Sequence, residues 1–155
     1  MIGRVALIAS VSLAVLFAAG AVALAAGEKL VTQSKGPYGA YVSADNGRAV
    51  YMFTADHNGM SACHGACTQV WPPVMTKGAP IAGPGVDSAE LGTIGRKGGT
   101  QITYAGKPLY YFVGDKGPGT TAGEGLAHFG GKWYLVTPTG NEIEKTAAAK
   151  STGSW

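Results

Sequence analysis

The chain has 155 residues with 12 basic and 9 acidic side chains, a formal net charge of +3, and only 14% charged residues. That length, with 46% hydrophobic residues, fits one domain with its own core and excludes a multidomain machine or a wholly disordered tail. No Lys/Arg cluster exceeds the pair Arg96-Lys97, which excludes the footprint of a nucleic-acid binder.

Residues 1–25 are almost entirely apolar or small, with Arg4 as the only charge. This is the layout of a secretory signal. Ala21-Val22-Ala23 and Ala23-Leu24-Ala25 offer the small residues a signal peptidase reads, so cleavage is expected after Ala25, before the polar Glu28-Lys29. The apolar stretch 5–26 is also long enough to cross a bilayer. A tether through it is the alternative, and the only expected contact with a membrane. No Cys in the first 60 residues could carry a lipid. The expected location is extracytoplasmic, in a bacterial periplasm or secreted, and the two cysteines suit such an oxidising compartment.

Residues 26–37 read as a linker, 38–140 as a β domain of two units (about 38–76 and 90–138), and 141–155 as a flexible tail. Short apolar runs punctuated by Gly, Asn and Asp signal strands and tight turns. The first hairpin is expected from strands at 38–44 and 49–54 around Asp45-Asn46-Gly47, because Asn-Gly tolerates positive φ. Residues 63–70 are the one convincing short helix, stopped by Pro72-Pro73. Further strands are expected at 91–95, 100–104, 109–113 and 132–137, and residues 142–150 form helix-prone, frayed chain.

An internal repeat organises the whole. Gly47-Arg48-Ala49-Val50-Tyr51-Met52-Phe53-Thr54-Ala55-Asp56 recurs in type as Gly106-Lys107-Pro108-Leu109-Tyr110-Tyr111-Phe112-Val113-Gly114-Asp115, and each copy runs on to a Trp, Trp71 or Trp133. The expected fold is all-β, two related antiparallel units on one core as a small sandwich or barrel, with a short helix or loop at the Cys pair and an N-terminal signal helix. These motifs, with Ser61-Ala62-Cys63-His64-Gly65-Ala66-Cys67, Trp71-Pro72-Pro73, Pro118-Gly119 and Trp133-Tyr134, resemble a bacterial family of secreted or lipoprotein repeats with a conserved Tyr-x-aromatic-x-x-Asp motif. Many relatives carry a lipid on an N-terminal Cys that is missing here. The resemblance implies an envelope location and supplies no enzymatic activity.

Side chains two apart on a strand share a face. Tyr51 and Phe53 therefore point one way, and Val50, Met52 and Thr54 the other. Tyr110 and Phe112 repeat the pattern, so both strands read as central and covered on two sides. Buried tyrosine hydroxyls need acceptors, and the nearby Asp of each motif is the candidate. Asp56 and Asp115 sit where a strand should leave the sheet, suited to capping their own turns. Were they brought together, they could instead hold a cation or do acid/base work.

Cys63 and Cys67 are spaced for a disulfide, and the order of residues does not suit covalent haem. His57, Met60, Cys63, His64 and Cys67, with His128 elsewhere, form an alternative copper or zinc set. Trp71 and Trp133 read as packing, or, if exposed, as a ligand or partner surface. There is no Gly-x-Ser-x-Gly elbow, P-loop or His-Glu-x-x-His. The expectation is a non-catalytic exported module without a cofactor, structural or binding an envelope partner or small ligand. The rival is a periplasmic redox or copper-handling protein.

Overall fold

The computed structural model of the protein describes residues 26–143. The expected signal at 1–25 and the chain beyond 143 lie outside the described residues. Ten strands follow in order: β1 Lys29–Ser34, β2 Ala40–Ala44, β3 Tyr51–Phe53, β4 Met75–Thr76, β5 Ile81–Ala82, β6 Leu91–Arg96, β7 Gly99–Tyr104, β8 Lys107–Pro108, β9 Ala127–His128 and β10 Gly131–Leu135. Among the described residues the one α-helix, α1 at Ala66–Val70, lies between β3 and β4, and single 3-10 turns occupy Gly36–Tyr38 and Ser88–Glu90.

Three small sheets result. β1 pairs antiparallel with β2 from Leu30↔Ala44 to Ser34↔Ala40, and parallel with β5. β6 and β7 form the second hairpin, with β4 and β8 also paired to β7. β10 pairs antiparallel with β3, setting Trp133 opposite Phe53, and with β9.

Residues 29–34 are strand rather than linker. Leu30 is fully buried and supplies the apolar anchor, while the polar neighbours Thr32, Gln33 and Ser34 hide the strand signal and gain their order from the β2 ladder. The Asn-Gly turn forms, closed by Gly47 N–H to Ala44 O (2.9 Å), with Gly47 at φ +85°. The expected hairpin does not continue from it. After the bridge Ser43↔Ala49 the chain departs, because the backbone of Tyr51 is taken by Tyr110 and β3 by β10.

Residues 109–113 are likewise not a strand. Tyr110 makes isolated bridges to both Tyr51 and Pro73, while Tyr111 N–H reaches Pro72 O and Val113 N–H reaches Val70 O. A regular ladder cannot form against Pro72-Pro73, which have no N–H to donate. The helix is shorter than expected at its start, where Gly65 has φ +56°. The tail begins later than residue 141: Glu142 bridges Val136, and Ile143 is buried.

The alternation of β3 divides the interior. Tyr51 and Phe53 enter one cluster with Trp71, Tyr110, Trp133 and Leu135. Val50 and Met52 enter a second with Val42, Val74, Ile102 and Leu109. Tyr110 and Leu109 split the same way, as do Leu135 and Val136. Period-two patterning thus sends neighbouring residues to opposite cores, which is why both faces of the motif are apolar.

The repeats are intertwined rather than stacked. Val42 N–H donates to Val136 O and Ile102 N–H to Val74 O, both at 2.8 Å. In each case the strand of one repeat binds the segment after the Trp of the other. Among the described residues no helix is long and apolar enough to cross a membrane.

Separating residues 26–87 from 88–143 removes these crossed bonds. Neither fragment alone is expected to show a cooperative thermal transition by circular dichroism, whereas the 26–143 chain should. A monomeric fragment that melts cooperatively contradicts the intertwining.

Candidate functional site

The two motif tyrosines meet at the centre. Tyr51 N–H donates to Tyr110 O (2.8 Å), and Tyr110 N–H donates to Tyr51 O (3.0 Å). This reciprocal pair is the approximate two-fold axis of the repeat, and each side chain then crosses it. Tyr51 Oη donates to Asp115 Oδ2 at 2.8 Å, and Tyr110 Oη donates to Asp56 Oδ2 at 2.7 Å. The acceptor is therefore the Asp of the other repeat, not of the same motif. Each motif segment turns after its Phe, with Asp56 N–H on Phe53 O and Asp115 N–H on Phe112 O, and the turn carries the carboxylate to the other repeat's tyrosine.

The second oxygen of each carboxylate closes its own loop. Ala62 N–H donates to Asp56 Oδ1 (2.7 Å), and Ala122 N–H donates to Asp115 Oδ1 (2.8 Å). The pair does not converge on one site: each Asp holds one loop and one tyrosine. Burial pushes both carboxyls above their ordinary range, while bonds from Tyr110 and Ala62, or from Tyr51 and Ala122, pull the other way. Burial first, then the facing carboxylate, raises the Tyr51 phenol far above its usual range. For Tyr110 burial again leads, offset by Ser61 and reinforced by Asp56.

Above this pair lies a stack of four rings. Phe53 stacks on Trp133 (4.0 Å), Trp133 on Trp71 (3.9 Å, 3° between planes), and Trp71 on Phe112 (4.4 Å). Tyr51 meets Trp71 edge-on, and Tyr110 meets Trp133 edge-on. The order alternates between repeats, so each Phe rests on the other repeat's Trp. Both Trp are fully buried, which removes them as a ligand or partner surface. The reason is area: indoles bury more apolar surface than any other side chain, and stacked pairs add about 0.5–1.5 kcal/mol each. Trp133 Nε1 donates to His128 O at 3.2 Å, whereas Trp71 Nε1 has no acceptor among the described residues.

Cys63 and Cys67 are joined in a disulfide, with Cα atoms 5.3 Å apart. Both thiolates are thereby removed from the alternative metal set. His57, Met60 and His64 are exposed, and His57 Nδ1 lies 2.9 Å from Ala55 O. Among the described residues no three His, Cys, Asp or Glu side chains form a group able to hold a metal. A loop this short contributes about 2 kcal/mol by chain entropy. It also fixes the segment leading to Trp71, whose N–H donates to Cys67 O.

Three residues brace this loop: Ser61, which lies in the motif of the first repeat, and Arg96 and Gln101, to which sequence reasoning assigned no role. Arg96 donates from Nη1 to Ser61 Oγ and to Gln101 Oε1 (2.8 Å), and from Nη2 to Cys63 O (2.6 Å). Gln101, fully buried, donates to Leu109 O. Ser61 Oγ lies 2.7 Å from Tyr110 Oη. A single Arg or Gln carries no periodic signal, so the chain order gave Arg96 and Gln101 no bracing role.

With this geometry in place, comparison with known proteins is informative. A family described as a secreted repeat of unknown function matches residues 29–75 and 92–137. The chain belongs to this family. The two matched segments are the two halves related by the Tyr51–Tyr110 axis, and the first includes β1. No curated protein and no solved structure matches the chain.

The direction of the Asp115 shift sets a pH test. Its folded value lies above the ordinary 3.8, so the folded chain holds more protons in the window just above that value, and stability falls as pH rises through it. Of the groups that face Asp115, Arg48 acts on it through space and Tyr51, Ala122 and Thr120 by hydrogen bonds. The melting-temperature advantage of the native chain over Asp115→Asn should therefore grow as pH drops from about 7 to about 4.5. A gap that narrows on acidification contradicts the burial account.

Proposed function

We propose that the protein is a non-catalytic exported module of the bacterial envelope or extracellular space, which binds a partner or ligand on a surface held by the crossed repeat. The observation that carries this reading is the use to which the motif is put. Tyr51, Tyr110, Asp56 and Asp115 satisfy one another and their own loops, and Trp71 and Trp133 are stacked and fully buried. A general acid or base needs an acceptor or donor within reach of a substrate, whereas these groups are already committed to the chain itself. Export is supported by the signal-like residues 1–25 and by membership of a secreted family. The disulfide suits an oxidising compartment. It also takes away the thiolates on which a copper-handling role would depend.

Asp56→Asn and Asp115→Asn separate scaffold from catalysis. Each weakens a charge-assisted hydrogen bond of about 1.5–3 kcal/mol, so each should lower the melting temperature by roughly 5–10 °C while leaving binding intact in the folded fraction. A turnover activity of the native protein that either variant abolishes at unchanged melting temperature would overturn the reading.

A further inference from the structure

The two halves share their motif but not their surfaces. Only the first carries the disulfide, and among the described residues it is there that an arginine, Arg96, bonds to the loop. Between this loop and β6 lies a groove of about 1000 Å³, lined by Met60, Ser61, His64, Ile94, Arg96 and Lys97 among others. No Asp or Glu lines it.

Arg96 is the built element. A guanidinium has five N–H donors, and three of the Arg96 donors go to neutral acceptors: Ser61 Oγ, Gln101 Oε1 and Cys63 O. Nε–H and one Nη2–H have no acceptor among the described residues, and no carboxylate forms an ion pair with Arg96 there. Those two donors form the side edge of the guanidinium, the edge that takes a carboxylate or phosphate in a bidentate grip. Asp56 and Arg96 interact through space, but the oxygens of Asp56 already accept from Tyr110 and Ala62. Lys97 keeps the groove net positive.

Beside the polar His64 and Thr68, the remaining wall carries apolar side chains. Met60 is 60% exposed, the most exposed of the large apolar side chains among the described residues, and Ile94 and Pro73 also line the groove. A volume of this size suits a small organic ligand rather than a bare inorganic ion. Met is also adaptable in shape, which suits a flexible apolar body.

We propose that this groove binds a small anionic amphiphile, its carboxylate or phosphate head on the free edge of Arg96 and beside Lys97, its apolar body on Met60 and Ile94. This names the ligand class for the binding role proposed above and rests on that reading.

Titration of the protein with decanoate and with decyl phosphate, followed by calorimetry and by the NMR signal of the Arg96 Nε–H, tests it. Saturable binding with Kd of about 10 µM to 1 mM is expected for at least one head group, with a shift of that signal. The tighter probe identifies the head. Acetate and decyltrimethylammonium should bind at least tenfold more weakly. Arg96→Lys keeps the charge and loses the fork, and should weaken binding about tenfold. Because Arg96 also braces the loop, Met60→Glu and Lys97→Glu, which touch none of its bonds, provide the second test and should each weaken binding about fivefold or more. Absence of saturable binding up to several millimolar overturns the groove proposal. So does equal binding of the cationic probe, or affinity unchanged in Met60→Glu and Lys97→Glu. None of these outcomes touches the wider reading, which the Asp56 and Asp115 variants judge separately.

Discussion

The fold depends on one exchange of hydrogen bonds across an approximate two-fold axis. Tyr51 and Tyr110 bond backbone to backbone, and each hydroxyl then reaches the carboxylate of the opposite repeat. Burial makes this exchange hard to forgo. A phenol left without an acceptor in a dry core, or a half-buried carboxylate left without donors, costs more than the net value of a satisfied bond. Both ends of each bond are therefore needed, and one repeat alone supplies only one end of each.

The aromatic stack follows from the same crossing. Once Tyr51 and Tyr110 are paired, each Phe two residues on is carried over the Trp of the other repeat, giving the order Phe53, Trp133, Trp71, Phe112. The alternate residues of the same segments, Val50 and Leu109, fill the second core together with aliphatic side chains such as Ile102 on β7. The Tyr-x-Phe-x-x-Asp pattern is thus a unit whose Tyr, Phe and Asp each have a physical task. Tyr and Phe serve one core, the residues between them face the other, and Asp closes the turn that follows and locks the neighbour.

Much of this was legible in the sequence, and the limits have a common cause. The duplication, the two-faced strands, the disulfide and the Asn-Gly turn all rest on local order, which a linear pattern records. Partners do not. Asn46-Gly47 makes its turn, yet β3 goes to β10, because pairing across some eighty positions is decided by the second repeat's Trp133 segment. β1 was hidden because only Leu30 is fully buried among six mixed residues. The tyrosine acceptors were assigned within each motif, since a short reach along the chain looks nearer than a crossing that only the folded pair reveals. Arg96 had no pattern to announce it. Its position on β6 matters because the disulfide loop of the other repeat lies against it.

The claim that the motif is a lock between repeats is tested most directly by two double-mutant cycles on chemical or thermal stability. Tyr51→Phe with Asp115→Asn should show a coupling energy of about 1–2 kcal/mol, and Tyr51→Phe with Asp56→Asn should be additive within about 0.5 kcal/mol. Coupling of Tyr51 to Asp56, or none to Asp115, would contradict the crossed arrangement on which the account rests.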